Sequence, residues 1–319
     1  MKDSIKASVV IPTYRRAGLL RNALESLAAQ QSDYAFEVVV VNDAPDEDLS
    51  ALETEFSDIG IRLVNPTRNV GRGIARNMGV RDSSGEIIIF LDDDMTVAPD
   101  FINAHVNAHT GPGLAVVGNI ACAPEYASHP LARYIERQGA KKRKGASRLP
   151  PKVFRTGNGS LQRALFEKVG MFDESFSTYG EDLDLAMRLE YEGAKFVFAE
   201  DAVSYNHHPP DLDDMLEKVR EWGRYTIPIL AKRHPELEKS IHAHLAHPAR
   251  FGRESPALSL HKIATRFALL PPFYRLARLV YRCTFLGRLL FPVIDYLRLY
   301  NYLGAYREAL KERPDSPVP

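Results

Sequence analysis

Three aspartates in a row, Asp92, Asp93 and Asp94, follow the apolar run EIIIFL at 86–91. Adjacent carboxylates repel, and three at one strand end call for a counter-cation. An oxygen-ligated divalent ion, Mg²⁺ or Mn²⁺, would relieve the repulsion and keep coordination sites open for phosphate oxygens. Two further polar clusters stand in the same relation to apolar runs: Thr13 and Tyr14 after ASVVIP (7–12), and Asn42 and Asp43 after FEVVVV (36–41). Any one of these is explained as a turn or a helix cap. Three of them on one sheet edge point instead to a binding site. A separate acidic pair, Glu181–Asp182, follows Gly180 and opens a helical pattern with Leu185 and Leu189 along one side. The helix dipole accounts for acids at such a position. A carboxylate is also ionised at neutral pH when its pKa is ordinary, and one held near a hydroxyl can take its proton as that oxygen attacks. Asp184 and Arg188, four apart, read as a surface ion pair.

These residues need a scaffold that brings chain-distant strand ends together. Runs at 7–12, 36–41, 61–64 and 86–91 alternate with helical candidates that begin at Leu20 and lie near 48–57 and 72–83. Near-continuous apolar strands separated by helices predict a parallel, doubly wound sheet with both faces covered. Ligands of such sheets bind beyond the carboxyl ends of the strands, where the polar clusters fall. A further strand is expected at 195–200.

The chain has 319 residues, 45% of them hydrophobic and 26% charged, which fits a globular protein with a sizeable core and excludes a fibrous or disordered one. Two cysteines, Cys122 and Cys283, cannot form a disulfide framework, so a reducing compartment is expected. Neither a secretory leader nor an apolar run long enough to span a bilayer is seen. The net charge of zero hides an asymmetry. Residues 251–319 carry 11 Lys/Arg against 5 Asp/Glu, a net of +6, and the remainder balances it. A basic region of that kind suits an anionic partner, and Arg275, Arg278 and Arg282 share one helical face. Residues 131–155 add nine Lys/Arg against Glu136 alone, with KKRKG at 141–145, and read as a basic loop.

The ordered set VVIPTYRR (9–16), VVVVNDAPDE (38–47), NVGRGIARNMG (69–79), IIIFLDDDM (87–95), GNGSLQRALFEKVGMFDESF (157–176) and YGEDLDLAMRLEYEG (179–193) resembles family 2 glycosyltransferases of the GT-A fold, over roughly residues 7–208. The resemblance implies transfer of a sugar from a nucleotide-activated donor to an acceptor hydroxyl, with inversion. It implies that Thr13 and Asp43 contact the nucleoside, Asp43 at the base edge of a uracil; a cap on the helix near 48–57 is the other reading of Asp43. Pro12, Tyr14, Arg16, Asn42, Gly71, Arg76, Asn77, Asp92 and Asp93 belong to the same donor site, and Gly157 and Asn158 wall the sugar pocket. Asp92 and Asp94 form the Asp-x-Asp pair that would hold the metal. His207 or His208 would add a third ligand, a choice that spacing leaves open and that leans towards Mn²⁺. The catalytic base maps onto Asp182, with Glu181 beside it. The other eight histidines read as surface residues. A dinucleotide-binding reading of the glycines at 71–73 is set aside because they follow the third strand, and GNGS lacks the spacing of a phosphate loop.

The expectation is therefore an α/β protein: a GT-A, Rossmann-like, mostly parallel sheet with helices on both faces, plus an α-helical C-terminal extension. The GT-A domain is placed at 1–210, with 1–110 the nucleotide-sugar half and 111–210 the acceptor half, and the helical region at 211–319. The expected activity is a metal-dependent hexosyltransferase using a UDP-sugar and a glycan or lipid-linked acceptor, in the cytoplasm or on the cytoplasmic face of an anionic membrane, with no nucleic-acid partner. The alternatives are a nucleotidyltransferase, which lacks its expected N-terminal glycine-rich loop here, and a catalytically silent adaptor at the membrane.

Overall fold

The structure is a computed structural model that describes residues 5–138, 149–176 and 179–312; the KKRKG run at 141–145 lies outside the described residues. In chain order the elements are β1 (Ala7–Thr13), α1 (Ala17–Ala28), β2 (Phe36–Asn42), α2 (Ser50–Glu55), β3 (Ile61–Val64), α3 (Arg72–Arg81), β4 (Ile87–Leu91), β5 (Met95–Val97), α4 (Phe101–Ala108), β6 (Leu114–Cys122), α5 (Pro130–Gln138), β7 (Asn158–Gln162), α6 (Arg163–Lys168), α7 (Glu181–Tyr191) and β8 (Lys195–Asn206). There follow α8 (Leu212–Glu221), a π-turn (Trp222–Thr226), α9 (Ile227–Arg233), α10 (Leu237–Ser240), α11 (Pro256–Ala268), α12 (Pro271–Tyr281) and α13 (Phe291–Glu312). Two compact units result. One takes in Met1–Ser128, Ile135–Ser177 and Glu181–Pro209; the other takes in His129–Tyr134, Thr178–Gly180 and Pro210–Pro319.

The first unit is built on an eight-stranded sheet of order β3-β2-β1-β4-β7-β6-β8-β5. The four strands expected from the N-terminal runs pair in parallel, β3 with β2, β2 with β1 and β1 with β4. The far half is mixed: β7 runs antiparallel to both neighbours, β6 and β8 are parallel, and β5 is antiparallel. Alternate residues explain the continuous apolar runs. Val9, Ile11, Ile87 and Ile89 pack on one face with Leu20, Leu24 and Leu27 of α1, whereas Val10, Ile88 and Phe90 pack on the other with Phe166, Leu185 and Leu189 of α6 and α7. Each strand therefore buries both sides, as a sheet covered on two faces requires. α3 lies close because Gly79 has no side chain: a Cβ there would sit 2.6 Å from Val10 Cγ1.

β8 is longer than the strand expected at 195–200. It continues to Asn206 because Ala202 and Ser204 keep the alternation of buried positions while the strand pairs with both β6 and β5. The register on β6 slips between Val117 and Asn119, and Gly118 in the slip leaves room for the Asn158 amide, which a Cβ would meet at 1.9 Å.

The second unit packs Leu212 and Leu216 of α8 against Phe291, Ile294 and Leu297 of α13, with Leu131 and Tyr134 completing the cluster. Its π-turn precedes Pro228, whose missing N–H and bulky ring disrupt regular helical hydrogen bonding. No helix among the described residues is long and apolar enough to cross a membrane.

Candidate active site

β1, β2 and β4 are parallel, so their carboxyl ends reach the same edge of the sheet and present Thr13, Asn42–Asp43 and Asp92–Asp94 together. Thr13 Oγ1 donates to Asp93 Oδ2 at 2.8 Å. Arg16 Nη1 stands 3.4 Å from both Asp93 Oδ1 and Asp94 Oδ2, bridging two members of the triad. That one guanidinium is not enough to offset the burial. Asp93 is pushed up to about 6 by burial, with the neighbouring carboxylates adding to the rise and Thr13 and Arg16 opposing it. Asp94 is raised first by burial and then by the charge of Asp92. Asp94 Oδ1 is buried and has no hydrogen-bond partner among the described residues. A buried carboxylate oxygen in that state is costly unless something cationic meets it.

The third aspartate is held from the other side. Arg76, 2% exposed, donates from Nη2 to Asp92 Oδ1 at 2.8 Å and from Nη1 to Glu181 Oε1 at 2.9 Å. One side chain thus ties the start of α7 to the aspartate triad. Gly157 packs against the same carboxylate, since a Cβ there would lie 2.8 Å from Asp92 Oδ2.

The acidic pair divides into two different environments. Glu181 is 5% exposed, ion-paired to Arg76, and raised by burial with help from the Asp182 charge. The Asp182 side chain is 21% exposed; its Oδ1 accepts from the Leu183 amide at 2.8 Å and its Oδ2 lies 3.7 Å from Arg155 Nη1. Asp184 departs from the surface ion pair expected of it: it is 2% exposed and holds Arg188 Nε at 2.8 Å inside the unit.

Asp43 does not cap α2, whose first turn is preceded by Leu49 with no side-chain cap. Its carboxylate instead accepts from the amides of Val70 at 2.6 Å and Gly71 at 2.9 Å, fixing the turn that starts α3. Gly71 has φ +85°, in the region that favours glycine. Each Asp43 oxygen keeps a second lone pair for a ligand. Arg15, at φ +55°, turns the chain sharply after Tyr14, which is 48% exposed with the Arg15 guanidinium 5.5 Å from its ring centre, while Pro12 ends the buried run of β1.

Other expected site residues are committed elsewhere. Asn42 Nδ2 donates to Glu47 O and Asn65 Oδ1. Asn77, 1% exposed, latches the backbone of Phe172 by donating to its oxygen and accepting from its nitrogen. Of the two histidines after β8, His207 has both ring nitrogens engaged, by Thr96 at 2.8 Å and Glu125 at 2.9 Å. His208 bears electrostatically on Asp94. Arg155 was not singled out in the sequence, where it closes a basic stretch without a distinguishing signal.

The histidines expected at the surface include three that are not: His105 is fully buried, His234 nearly so and His109 mostly. Asn158 is part of the same network, because its Oδ1 accepts from His105 Nε2 while its Nδ2 donates to Ala202 O and Ser204 Oγ. That fixes His105 as the neutral tautomer accepting from Ser160 Oγ at Nδ1, and His109 Nε2 donates to the same oxygen. Asn158 therefore reads as an internal strut of the sheet. Burial pushes His105 down to about 3 and His109 down to about 4. The unfolded chain takes up a proton near pH 6.5 that folded His105 refuses, so this residue lowers stability as pH falls from about 6.5, by about 1.4 kcal/mol per pH unit. His105→Gln removes that penalty. The stability gap between wild type and variant should narrow at this slope between pH 6.5 and 5 in urea melts, and a constant gap would contradict the assignment.

Among the described residues no group of three or more His, Cys, Asp or Glu side chains is arranged to hold a metal by itself. Two carboxylates are present, Asp92 and Asp94 with its free Oδ1, and Mg²⁺- and Mn²⁺-type sites commonly take one or two carboxylates with substrate phosphates completing the shell. The donor set fits a divalent ion that arrives with a diphosphate.

Comparison with known proteins gives the following. The family model described as "Glycosyl transferase family 2" matches residues 8–170. An uncharacterized glycosyltransferase of Bacillus subtilis, YfnE, is 27% identical over 294 residues, covering 76% of this chain and 74% of the relative. Against a hyaluronan synthase of Pasteurella multocida the match is 25% identical and covers 73% of this chain but only 28% of that longer protein. Among solved structures, the mannosyltransferase PcManGT from Pyrobaculum calidifontis, in complex with GDP-Man and Mn²⁺, aligns with a TM-score of 0.60 at 21% identity over 94% of this chain and 88% of its own. The S. aureus TarS fragment 1–349 in complex with UDP-GlcNAc aligns at 0.53 and 18% identity, over 96% and 92%. At these identities the structural matches show the fold.

Proposed function

The chain belongs to glycosyl transferase family 2 and is a glycosyltransferase with the GT-A fold, and from that premise we propose that it carries a sugar from a UDP-sugar to a glycan or lipid-linked hydroxyl, with inversion and with a divalent ion. The single observation that carries the reading is the buried, unpartnered Asp94 Oδ1 beside Asp92, at the sheet edge that Thr13 and Asp43 share. We assign residues 1–110 to the donor, 111–210 to the acceptor, and 211–319 to a helical region at an anionic membrane on the cytoplasmic face.

In this account Asp43 receives the base edge, on the lone pairs left by Val70 and Gly71. Exposed Tyr14 lies against the nucleoside, and Arg16 meets the diphosphate. Asp92 and Asp94 would hold the ion, Mn²⁺ or Mg²⁺, with the donor's phosphates completing its shell and His208 bearing on the charge of Asp94, and the ion would neutralise the departing diphosphate. Arg76 keeps Asp92 aimed at that position and fixes Glu181, so that the next residue, Asp182, faces the acceptor side. The Asp182 carboxylate takes the proton of the attacking hydroxyl while the sugar–phosphate bond breaks; proton and leaving diphosphate are thereby handled by separate groups. Glu181, buried and paired, positions the helix start rather than reacting. Structures of relatives' folds with UDP-GlcNAc and with GDP-Man and Mn²⁺ support a nucleotide-sugar donor, and a carboxylate can accept from the imide N–H of a uracil, which fits UDP.

A thermal-shift screen of nucleoside diphosphates and nucleotide-sugars, with and without Mn²⁺, tests the donor. A ligand at 100 times its Kd stabilises by about 2.7 kcal/mol. UDP or a UDP-sugar should raise Tm much further when the metal is present, and a larger shift with GDP or GDP-mannose would reassign the base.

A further inference from the structure

Helix α11 is inside out. Ser259, Lys262 and Thr265 are its buried residues, Lys262 Nζ bonding to Glu254, whereas Leu260, Ile263 and Phe267 are 68%, 43% and 63% exposed. Those three recur at i, i+3 and i+7 and so form one outward stripe. Helix α12 continues it with Phe273, Leu276 and Leu279, also at helical spacing and 40–60% exposed. The rings of Phe267 and Phe273 lie 5.3 Å apart and join the two stripes across the Pro271 turn. Of the thirteen large apolar side chains exposed among the described residues, seven fall between Leu260 and Leu279. A helix facing water exposes its polar side; a contiguous apolar patch marks a contact surface.

Charge identifies the occupant. From residue 255 to 290 the sequence contains six Lys/Arg and no Asp or Glu. Arg266, Arg275, Arg282 and Arg288 are exposed, while Arg278, on the same helical face as Arg275 and Arg282, is turned to Asp213, and Lys262 to Glu254. A second copy of this chain would set these arginines against each other. An anionic bilayer takes both components, apolar side chains below the headgroups and arginines among the phosphates. We propose that α11 and α12 form a wedge that inserts into the interface of an anionic membrane. This goes beyond electrostatic attraction of the basic region, because the apolar stripe is the part that enters. It stands independently of the catalytic assignments: a chain that bound vesicles and transferred no sugar would leave it intact.

The test is co-sedimentation of the full chain with vesicles of phosphatidylcholine alone or of equal parts phosphatidylcholine and phosphatidylglycerol. Binding should require phosphatidylglycerol and weaken with salt. Phe267→Ser/Leu276→Ser, at exposed positions, should keep the wild-type Tm and lose at least about tenfold in vesicle affinity. Arg275→Gln/Arg282→Gln should reduce the preference for anionic vesicles. Equal or absent binding to both vesicle types, or unchanged binding by the apolar variant, overturns the proposal. So does a wild-type dimer in light scattering that Phe267→Ser/Leu276→Ser dissolves, since the face then belongs to a second copy.

Discussion

Asp182→Asn should lower sugar transfer by about 10²–10⁴-fold, the usual contribution of a general base, with nucleotide binding nearly unchanged. The amide keeps the oxygen that accepts from Leu183 N–H and loses the charge that would take the acceptor proton. Glu181→Gln should show the converse pattern. Its carboxylate is buried against Arg76, so the variant should lose stability, by roughly 1–3 kcal/mol, while retaining more transfer than Asp182→Asn. Measuring kcat and Tm for both variants separates the roles. Transfer abolished by Glu181→Gln and retained by Asp182→Asn would move the base by one residue, and normal transfer by both would leave the pair as a helix start.

What the sequence disclosed follows from how far each signal reaches. Apolar runs at 7–12, 36–41 and 86–91 and the polar residues that close them are chain-local, and parallel pairing then forces Thr13, Asp43 and Asp92 to one edge without further information. Glu181 and Arg76 are 105 residues apart, so no spacing rule could pair them. The same holds for His105 and Asn158: each is an unremarkable polar residue in the chain, and only the stacking of α4 on the β7–β8 region makes them a buried network. Asp184 looked superficial because an i, i+4 pair is usually at the surface, yet α7 turns that side inward. Around α12 the arginines draw attention to charge, while the direction of α11, polar side in, is set by Glu254 capturing Lys262 and Ser259.

The second large effect concerns Asp94. Replacing a residue that only supports a metal ligand costs about 10–100-fold in affinity, so removing a ligand itself should cost at least about 100-fold. Asp94→Ala leaves Arg16 paired to Asp93 and Thr13 in place, and the Asp43 turn is untouched, so the nucleoside pocket should persist without its metal-dependent component. Asp92→Ala should share the defect and also release Arg76, lowering Tm more than Asp94→Ala does. The most direct measurement is calorimetric titration of UDP into wild type and Asp94→Ala, each with and without Mn²⁺. The account predicts that Mn²⁺ strengthens UDP binding at least about 100-fold in wild type and has no effect in the variant. Equal Mn²⁺-dependent affinity in both proteins would contradict it.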